Sequence, residues 1–162
     1  MEVLVAFIRE HSASSRSRLR TRADVQAALT VVGRRDVGRD TRPVDLANTK
    51  LTGANLTGAD LSRANLYETN LTGADLTRAN LTDANLTHAN LTDANLTDAN
   101  LTDANLIRAN LTGADLTGAD LTRVRWPGFT SVPEGWKRNT SSGLLRPRGH
   151  RLWPSRGKTG SS

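Results

Sequence analysis

Leucine recurs at every fifth position through the middle of this chain, in sixteen units from Leu46 to Leu121. Ala stands two residues before the Leu in thirteen units, and Asn or Asp stands one residue before it in fifteen. Thr follows the Leu in twelve units, and the fifth position varies. Each unit therefore has the form Ala-Asx-Leu-Thr-variable, with two apolar and three mostly polar positions.

A period of five fits neither an amphipathic helix nor a flat strand. In an α-helix, five residues advance each Leu by roughly 140°, which spreads the leucines around the whole surface. In a flat strand, an odd period sends successive Leu side chains to opposite faces. The pattern instead predicts a chain that bends once per unit and coils into a tube. Leu and the Ala two residues before it point inward, and the other three residues point outward.

The predicted core is the row of leucines that this coiling brings together. Its members are Leu46, Leu51, Leu56, Leu61, Leu66, Leu71, Leu76, Leu81, Leu86, Leu91, Leu96, Leu101, Leu106, Leu111, Leu116 and Leu121.

The repeated residues resemble a known family. The run Asn80-Leu81-Thr82-Asp83-Ala84-Asn85-Leu86 is similar to the Ala-Asx-Leu-Thr-Xaa repeats of pentapeptide-repeat proteins of the bacterial type. The resemblance implies an all-β solenoid, specifically a right-handed quadrilateral β-helix with four units per coil. Residues twenty apart are then expected to stack, and the sixteen units to make about four coils.

The flanks of the repeat region predict a cap at each end, because the ends of a solenoid expose backbone and apolar interior. Residues 21–33 predict a short helix over the first coil, and residues 1–11 predict another; Ser12 to Ser17 look like a flexible linker between them. At the other end, Trp126 occupies the next Leu position and serves as a plug. The predicted organisation is a basic N-terminal segment with short helices over 1–43, a β-helix over 44–126 and a basic tail over 127–162. The tail is expected to be irregular and partly disordered.

The distribution of charged residues follows nearly the same three segments of the chain. Residues 1–43 hold nine Arg against five acids, and residues 124–162 hold eight Lys or Arg against a single Glu. Residues 44–123 hold ten acids against five bases. An acidic middle thus lies between two basic flanks, although the whole chain has a formal net charge of +6.

Candidate chemistry along the chain is sparse. The chain has no Cys, and its three His lie in different regions, so no catalytic, metal-binding or cofactor-binding set is predicted. The Asn-Leu-Thr triplets are produced by the repeat itself, and no export signal accompanies them. We therefore expect a protein that is not an enzyme and lies in the cytoplasm or on the cytoplasmic side of a membrane.

Two groups of outward residues are the candidates for contact with a partner. Asp83, Asp93, Asp98 and Asp103 place acid at the variable position, with Asp83 stacked below Asp103. Tyr67 and Ile107 interrupt the Thr pattern on one side of the tube, two coils apart. The competing interpretation is a solvated surface that keeps the repeats soluble.

These observations favour a non-catalytic module for protein–protein interaction or scaffolding. The resemblance also offers a DNA-mimicking protein that binds a topoisomerase such as DNA gyrase and is linked to quinolone resistance. A third interpretation is the soluble part of a membrane-associated pentapeptide-repeat protein, with a membrane segment upstream of Met1. A fourth is binding to ice or mineral through the Thr rows.

Overall fold

The computed structural model describes residues 2–12, 23–34, 42–139 and 142–148. Two helices precede the repeats, α1 at Glu2–Ser12 and α2 at Ala23–Gly33. Two short strands follow the repeats, β1 at Trp136–Arg138 and β2 at Leu145–Pro147. The first two residues of the helix predicted over 21–33, most of the predicted linker and the end of the tail lie outside the described residues.

Parallel backbone bridges hold the repeats together. Thirteen of them join residues twenty positions apart, from Asp45 with Asn65 to Asn105 with Arg125. Hydrogen bonds reinforce each step, as where the amide of Leu51 donates to the carbonyl oxygen of Asn70 at 2.7 Å. Because twenty residues are four units, each coil has four sides and the sixteen units make four coils.

The inward positions fill the tube. The repeat leucines are buried apart from Leu116, which is half-buried in the last coil. Thr49 and Thr69 replace two of the inward alanines, and each hydroxyl donates to the carbonyl oxygen of Leu46 at 2.7 Å. Those two buried polar groups are therefore satisfied inside an otherwise apolar column.

Every corner of the tube is a tight turn with the same backbone signature. The amide of Ala54, for example, donates to the carbonyl oxygen of Leu51 at 3.1 Å, and other units repeat this bond. The variable residue has a φ between 54° and 71° in all sixteen units, whereas the residue before it does not have a positive φ. A positive φ at the third residue alone identifies a type II turn. The variable residues are Asn48, Gly53, Gly58, Arg63, Glu68, Gly73, Arg78, Asp83, His88, Asp93, Asp98, Asp103, Arg108, Gly113, Gly118 and Arg123.

Helix α2 covers the open edge of the first coil. The Gln26 side chain pairs with the backbone of Asn55 in both directions, accepting from its amide at 2.8 Å and donating to its carbonyl oxygen at 2.7 Å. The carbonyl oxygen of Gly33 accepts from the amide of Asp60 at 2.8 Å. The helix thus supplies the partners that a preceding coil would supply inside the rod.

Helix α1 packs against α2 and adds a third edge contact. Ile8 is buried in the common core, and the Ser12 hydroxyl accepts from the amide of Lys50 at 3.3 Å. Arg9 forms an ion pair with Asp45 of the first unit at 2.8 Å.

The C-terminal tail differs from the irregular segment that the sequence predicts. Strands β1 and β2 form an antiparallel hairpin, and Arg125 of the last coil forms an antiparallel bridge with Leu144. The Leu145 side chain is buried, and its amide donates to the carbonyl oxygen of Val124 at 2.9 Å. Trp126 is also buried. This hairpin escaped prediction because it depends on contacts with the last coil and has no periodic signal of its own.

We expect Leu91→Asp to unfold the rod, because it places an unpaired charge in the middle of the apolar column. Leu91→Ala is expected to lower the free energy of unfolding by about 2–5 kcal/mol through loss of burial and a residual cavity. Urea titration followed by circular dichroism measures both effects. The control is His88→Asp, which puts the same charge at an outward position where neighbouring units already carry Asp; it should leave the transition in place. A native-like transition for Leu91→Asp would contradict the buried column.

We expect Gln26→Leu to open the edge of the first coil. The substitution removes two hydrogen bonds from the backbone of Asn55, at about 1–3 kcal/mol for groups left without partners. Hydrogen exchange should show faster exchange of the Asn55 amide, while the amide of Asn95, in the middle of the rod, keeps its rate relative to global unfolding. Gln26→Glu retains an acceptor and should give an intermediate effect. Equal protection of the Asn55 amide in all three proteins would show that α2 is not the cap.

Candidate interaction surface

The outward side chains form vertical rows on the four sides of the rod, because residues twenty apart stack. Three sides carry Thr or Ser after the Leu in every coil, and we call them the Thr faces. The fourth side carries Ala47, Tyr67, Thr87 and Ile107 at that position, and we call it the Tyr67 face. Its variable positions are Asn48, Glu68, His88 and Arg108.

The Asn or Asp before each Leu has a structural task on all four sides. In all fifteen units with Asn or Asp, its Oδ1 accepts a hydrogen bond from the amide of the residue two positions later. In eight units the Thr or Ser hydroxyl donates to the same oxygen. These are local side chain–backbone turns of the kind that Asx residues form readily. In these eight units the Asx and Thr or Ser side chains therefore pair with each other within the unit.

Three of the Asp residues in these rows have perturbed acidity. The hydroxyl and amide of Thr77 donate to Asp75 and lower the pKa of its carboxyl group. Thr117 lowers the pKa of Asp115 in the same way, and Thr122 lowers that of Asp120. Hydrogen bonds to the charged form stabilise it, which is the cause of all three shifts.

The four Asp residues predicted to face a partner do not form one surface. Asp83 and Asp103 stack on one Thr face, while Asp93 and Asp98 lie on the two others. Arg123 donates to Asp103 through Nε at 2.7 Å and also through Nη2, and this contact lowers the pKa of the Asp103 carboxyl group.

All four occupy left-handed turn positions, with φ between 54° and 61°. Asp, Asn and His adopt this conformation more readily than most side chains, and Gly adopts it without strain. The backbone therefore accounts for the Asp residues without a partner.

The Tyr67 face does bring its predicted residues together. The Tyr67 and His88 rings meet edge to face with centroids 5.7 Å apart, and the backbone amide of His88 donates to the carbonyl oxygen of Ile107 at 3.1 Å. Hydrogen bonding and charge from Glu68 raise the pKa of Tyr67. Ile107 is 40% exposed, one of few large apolar side chains so placed among the described residues.

His88 is the member of this surface that sequence reasoning passed over as a contact. His88 follows Tyr67 by twenty-one residues, which places it in the next coil and one position further along the unit. That spacing is the signal from which the contact could have been predicted. Tyr67, His88 and Ile107 therefore lie on one side of the rod in three successive coils, with a ring contact between Tyr67 and His88.

Groups that could support catalysis or membrane insertion are not evident in the described ranges. They contain no cluster of three or more His, Cys, Asp or Glu side chains that could hold a metal ion. The described helices are all too short or too polar to cross a bilayer.

A family model for pentapeptide repeats matches residues 45–83 and 84–123. No curated protein matches the chain. Among solved structures, a pentapeptide repeat protein from the Arabidopsis thaliana thylakoid lumen is 33% identical, with a TM-score of 0.51. The match covers 55% of this chain and 63% of that one. This likeness and the twenty-residue ladder support the right-handed quadrilateral β-helix for the repeat region.

Two cyanobacterial proteins also match. HetL, a pentapeptide repeat protein involved in heterocyst differentiation regulation from Nostoc sp. strain PCC 7120, is 42% identical, covering 53% of this chain and 42% of that one, with a TM-score of 0.31. The pentapeptide repeat protein Rfr23 from Cyanothece 51142 is 40% identical, covering 52% of this chain and 65% of that one, with a TM-score of 0.33. This chain thus spans less than two thirds of the length of each of the three.

We expect acid to destabilise the rod through the Asp residues of the Asx rows. A carboxyl group whose pKa is lowered by folding stabilises the fold above its unfolded pKa of about 4 and loses that contribution as the pH falls through the folded value. In the triple variant Asp75→Asn, Asp115→Asn and Asp120→Asn, each amide keeps the Oδ1 acceptor. Its melting temperature should fall less than that of the wild type between pH 5 and pH 2. Glu10→Gln, an exposed change on α1, is the control and should keep the wild-type profile. An equal fall in melting temperature for the triple variant and the wild type would show that these three Asp residues do not cause the loss of stability in acid.

Proposed function

The chain belongs, through its repeat region, to the pentapeptide-repeat family, and we propose that it is a non-catalytic interaction or scaffold module. We infer that it binds a protein partner through the Tyr67 face. The observation that carries this proposal is the patch of Tyr67, His88 and Ile107 on a rod whose other sides carry Thr and Asx rows.

Physical chemistry favours this patch as the contact. Aromatic and large aliphatic side chains provide most of the energy at protein interfaces, particularly where they cluster. Glu68 and Arg108 flank the patch with opposite charges, which provides a polar rim around it. The rod is rigid because its interior is packed with leucine, so the patch requires little ordering when a partner binds.

The packed interior of the rod supports a non-catalytic role. Substrate sites are concave and hold a few convergent polar groups, whereas the sides of the rod consist of stacked rows of outward side chains. The repeat interior, where a buried site could form, is occupied by Leu and Ala side chains.

Charge makes binding to DNA gyrase by DNA mimicry the weaker proposal. B-DNA has one phosphate charge per roughly 1.7 Å, or about twelve over a rod of about 20 Å. Residues 44–123 have ten acids against five bases, a net charge of −5. The acids at variable positions are spread over four sides, so no side presents a continuous acidic row.

Location is part of the same proposal. A chain without Cys suits the reducing cytoplasm. Membrane association would act through a segment outside this chain, and it would place the rod on the cytoplasmic side.

We expect the double substitution Tyr67→Thr and Ile107→Thr to weaken partner capture strongly, because it gives the upper three coils of the Tyr67 face the same row as the Thr faces. Tagged wild type and variant are used to capture proteins from a lysate of the source organism, followed by quantitative mass spectrometry. Recovery of the partner should fall by roughly tenfold or more, the effect expected for loss of interface hot spots.

The matched control removes two exposed apolar side chains elsewhere, by Val31→Thr and Phe129→Thr. Val31 is 54% exposed and Phe129 is fully exposed, so the control loses similar apolar surface away from the patch. The control should retain the partner. Equal recovery by both variants, each with a wild-type melting temperature, would contradict binding through the Tyr67 face.

A further inference from the structure

A cleft of about 480 Å³ lies where the C-terminal hairpin meets the last coil. Its apolar wall consists of Ile107, Trp126 and Leu144. The cleft therefore begins at the upper end of the Tyr67 face, but it is lined mainly by residues beyond the repeats. Its size is sufficient for a small organic molecule or for one side chain of a peptide.

Arg125 and Arg138 line the same cleft, and backbone contacts hold both residues in place. Arg125 takes the position of an Asx residue above Asn105, and its backbone also bridges to Leu144. Arg138 lies on β1, and its Nη2 donates to the carbonyl oxygen of Pro127 at 2.9 Å. That bond anchors one end of the guanidinium group.

One donor of the Arg138 guanidinium group, Nε, is buried and has no hydrogen-bond partner among the described residues. Buried donors are paired in the great majority of cases, so an orphaned one calls for a ligand or an ordered water. Within the described part of the chain, the Arg125 and Arg138 side chains also lack an ion pair with any acid.

Charge around the cleft points to an anion. Between residues 124 and 148 there are five bases, and Glu134 is the single acid. Arg pairs well with planar carboxylates because its fork of donors matches their two oxygens. The apolar wall beside the arginines suits a ligand with one charge and a hydrophobic group better than a compact, highly hydrated dianion such as phosphate.

We propose that this cleft binds a carboxylate that carries an apolar group. The carboxylate lies between Arg125 and Arg138 and accepts from their guanidinium groups, and the apolar group packs against Trp126 and Ile107. The cleft shares Ile107 with the Tyr67 face, and its charged wall consists of Arg125 and Arg138 beyond the repeats. A free carboxylic acid and the C-terminal carboxylate of a peptide share the proposed chemistry.

NMR of the arginine Nε–H groups in the full chain tests the proposal. Benzoate, acetate and inorganic phosphate are titrated separately at constant ionic strength. Benzoate should shift the Arg138 Nε–H signal saturably, acetate should bind more weakly, and phosphate most weakly. Arg125→Gln should weaken benzoate binding by roughly tenfold or more, as expected for loss of a charged hydrogen-bond partner.

The matched control is Arg146→Gln, which removes the same charge from the neighbouring strand β2 but leaves the cleft lining intact. It should keep the benzoate affinity of the wild type. Arg138→Lys, followed by tryptophan fluorescence, provides a second cleft variant that retains the charge and lacks Nε–H; it should also weaken binding. An acetylated dipeptide ending in Phe, compared with benzoate, shows whether a peptide terminus or a free acid is preferred.

Three results would overturn the inference. The first is a change in the Arg138 Nε–H chemical shift that is linear in benzoate concentration and that sodium chloride reproduces. The second is an equal loss of benzoate affinity in Arg125→Gln and Arg146→Gln, and the third is tighter binding of phosphate than of benzoate.

Discussion

The left-handed backbone conformation at every fifth residue is the constraint on which this structure depends. It turns the chain through a corner after each Leu, so that successive leucines meet inside the tube rather than alternate between two faces. Four corners close a coil, and only then can Asp45 lie beside Asn65 and begin the ladder of bridges. Burial, hydrogen bonding and the vertical rows of side chains all follow from this turn. Its cost is a strained φ at each non-glycine position, which Asn, Asp and His tolerate best.

Such regularity confines function to the places where the repeat is interrupted. In eight units the Thr or Ser hydroxyl donates to the Asx Oδ1 of its own unit, and the Asp residues at the corners satisfy a conformational requirement. Tyr67 and Ile107 do neither, and the ladder places them on one side with His88 between them. Beyond the last repeat, Arg125 and Arg138 also break the pattern. Both proposed binding regions thus include side chains that depart from the repeat pattern.

The parts of the fold that could be predicted are those set by local periodicity. The five-residue pattern was enough to place Leu91 inside, because that follows from position within the unit. The shared side of Tyr67 and Ile107 required the four units per coil that the family resemblance implied. Asp93 and Asp98 stay predictions as partner contacts, and their left-handed turn positions offer a second reason for Asp there. The cap contact of Gln26 with Asn55 and the anchoring of Leu145 on Val124 join residues far apart in sequence. No spacing rule could have predicted those two contacts.

The twenty-residue register is the central claim, since the Tyr67 face exists only if residues twenty apart stack. Scalar couplings across hydrogen bonds, detected by long-range HNCO spectroscopy, measure that register directly in solution. The account predicts a coupling from the amide of Leu86 to the carbonyl carbon of Asn105, and the same offset of nineteen for the leucines of the first three coils. Couplings at another offset, such as fourteen or twenty-four, would separate Tyr67 from His88 and Ile107 and contradict the account.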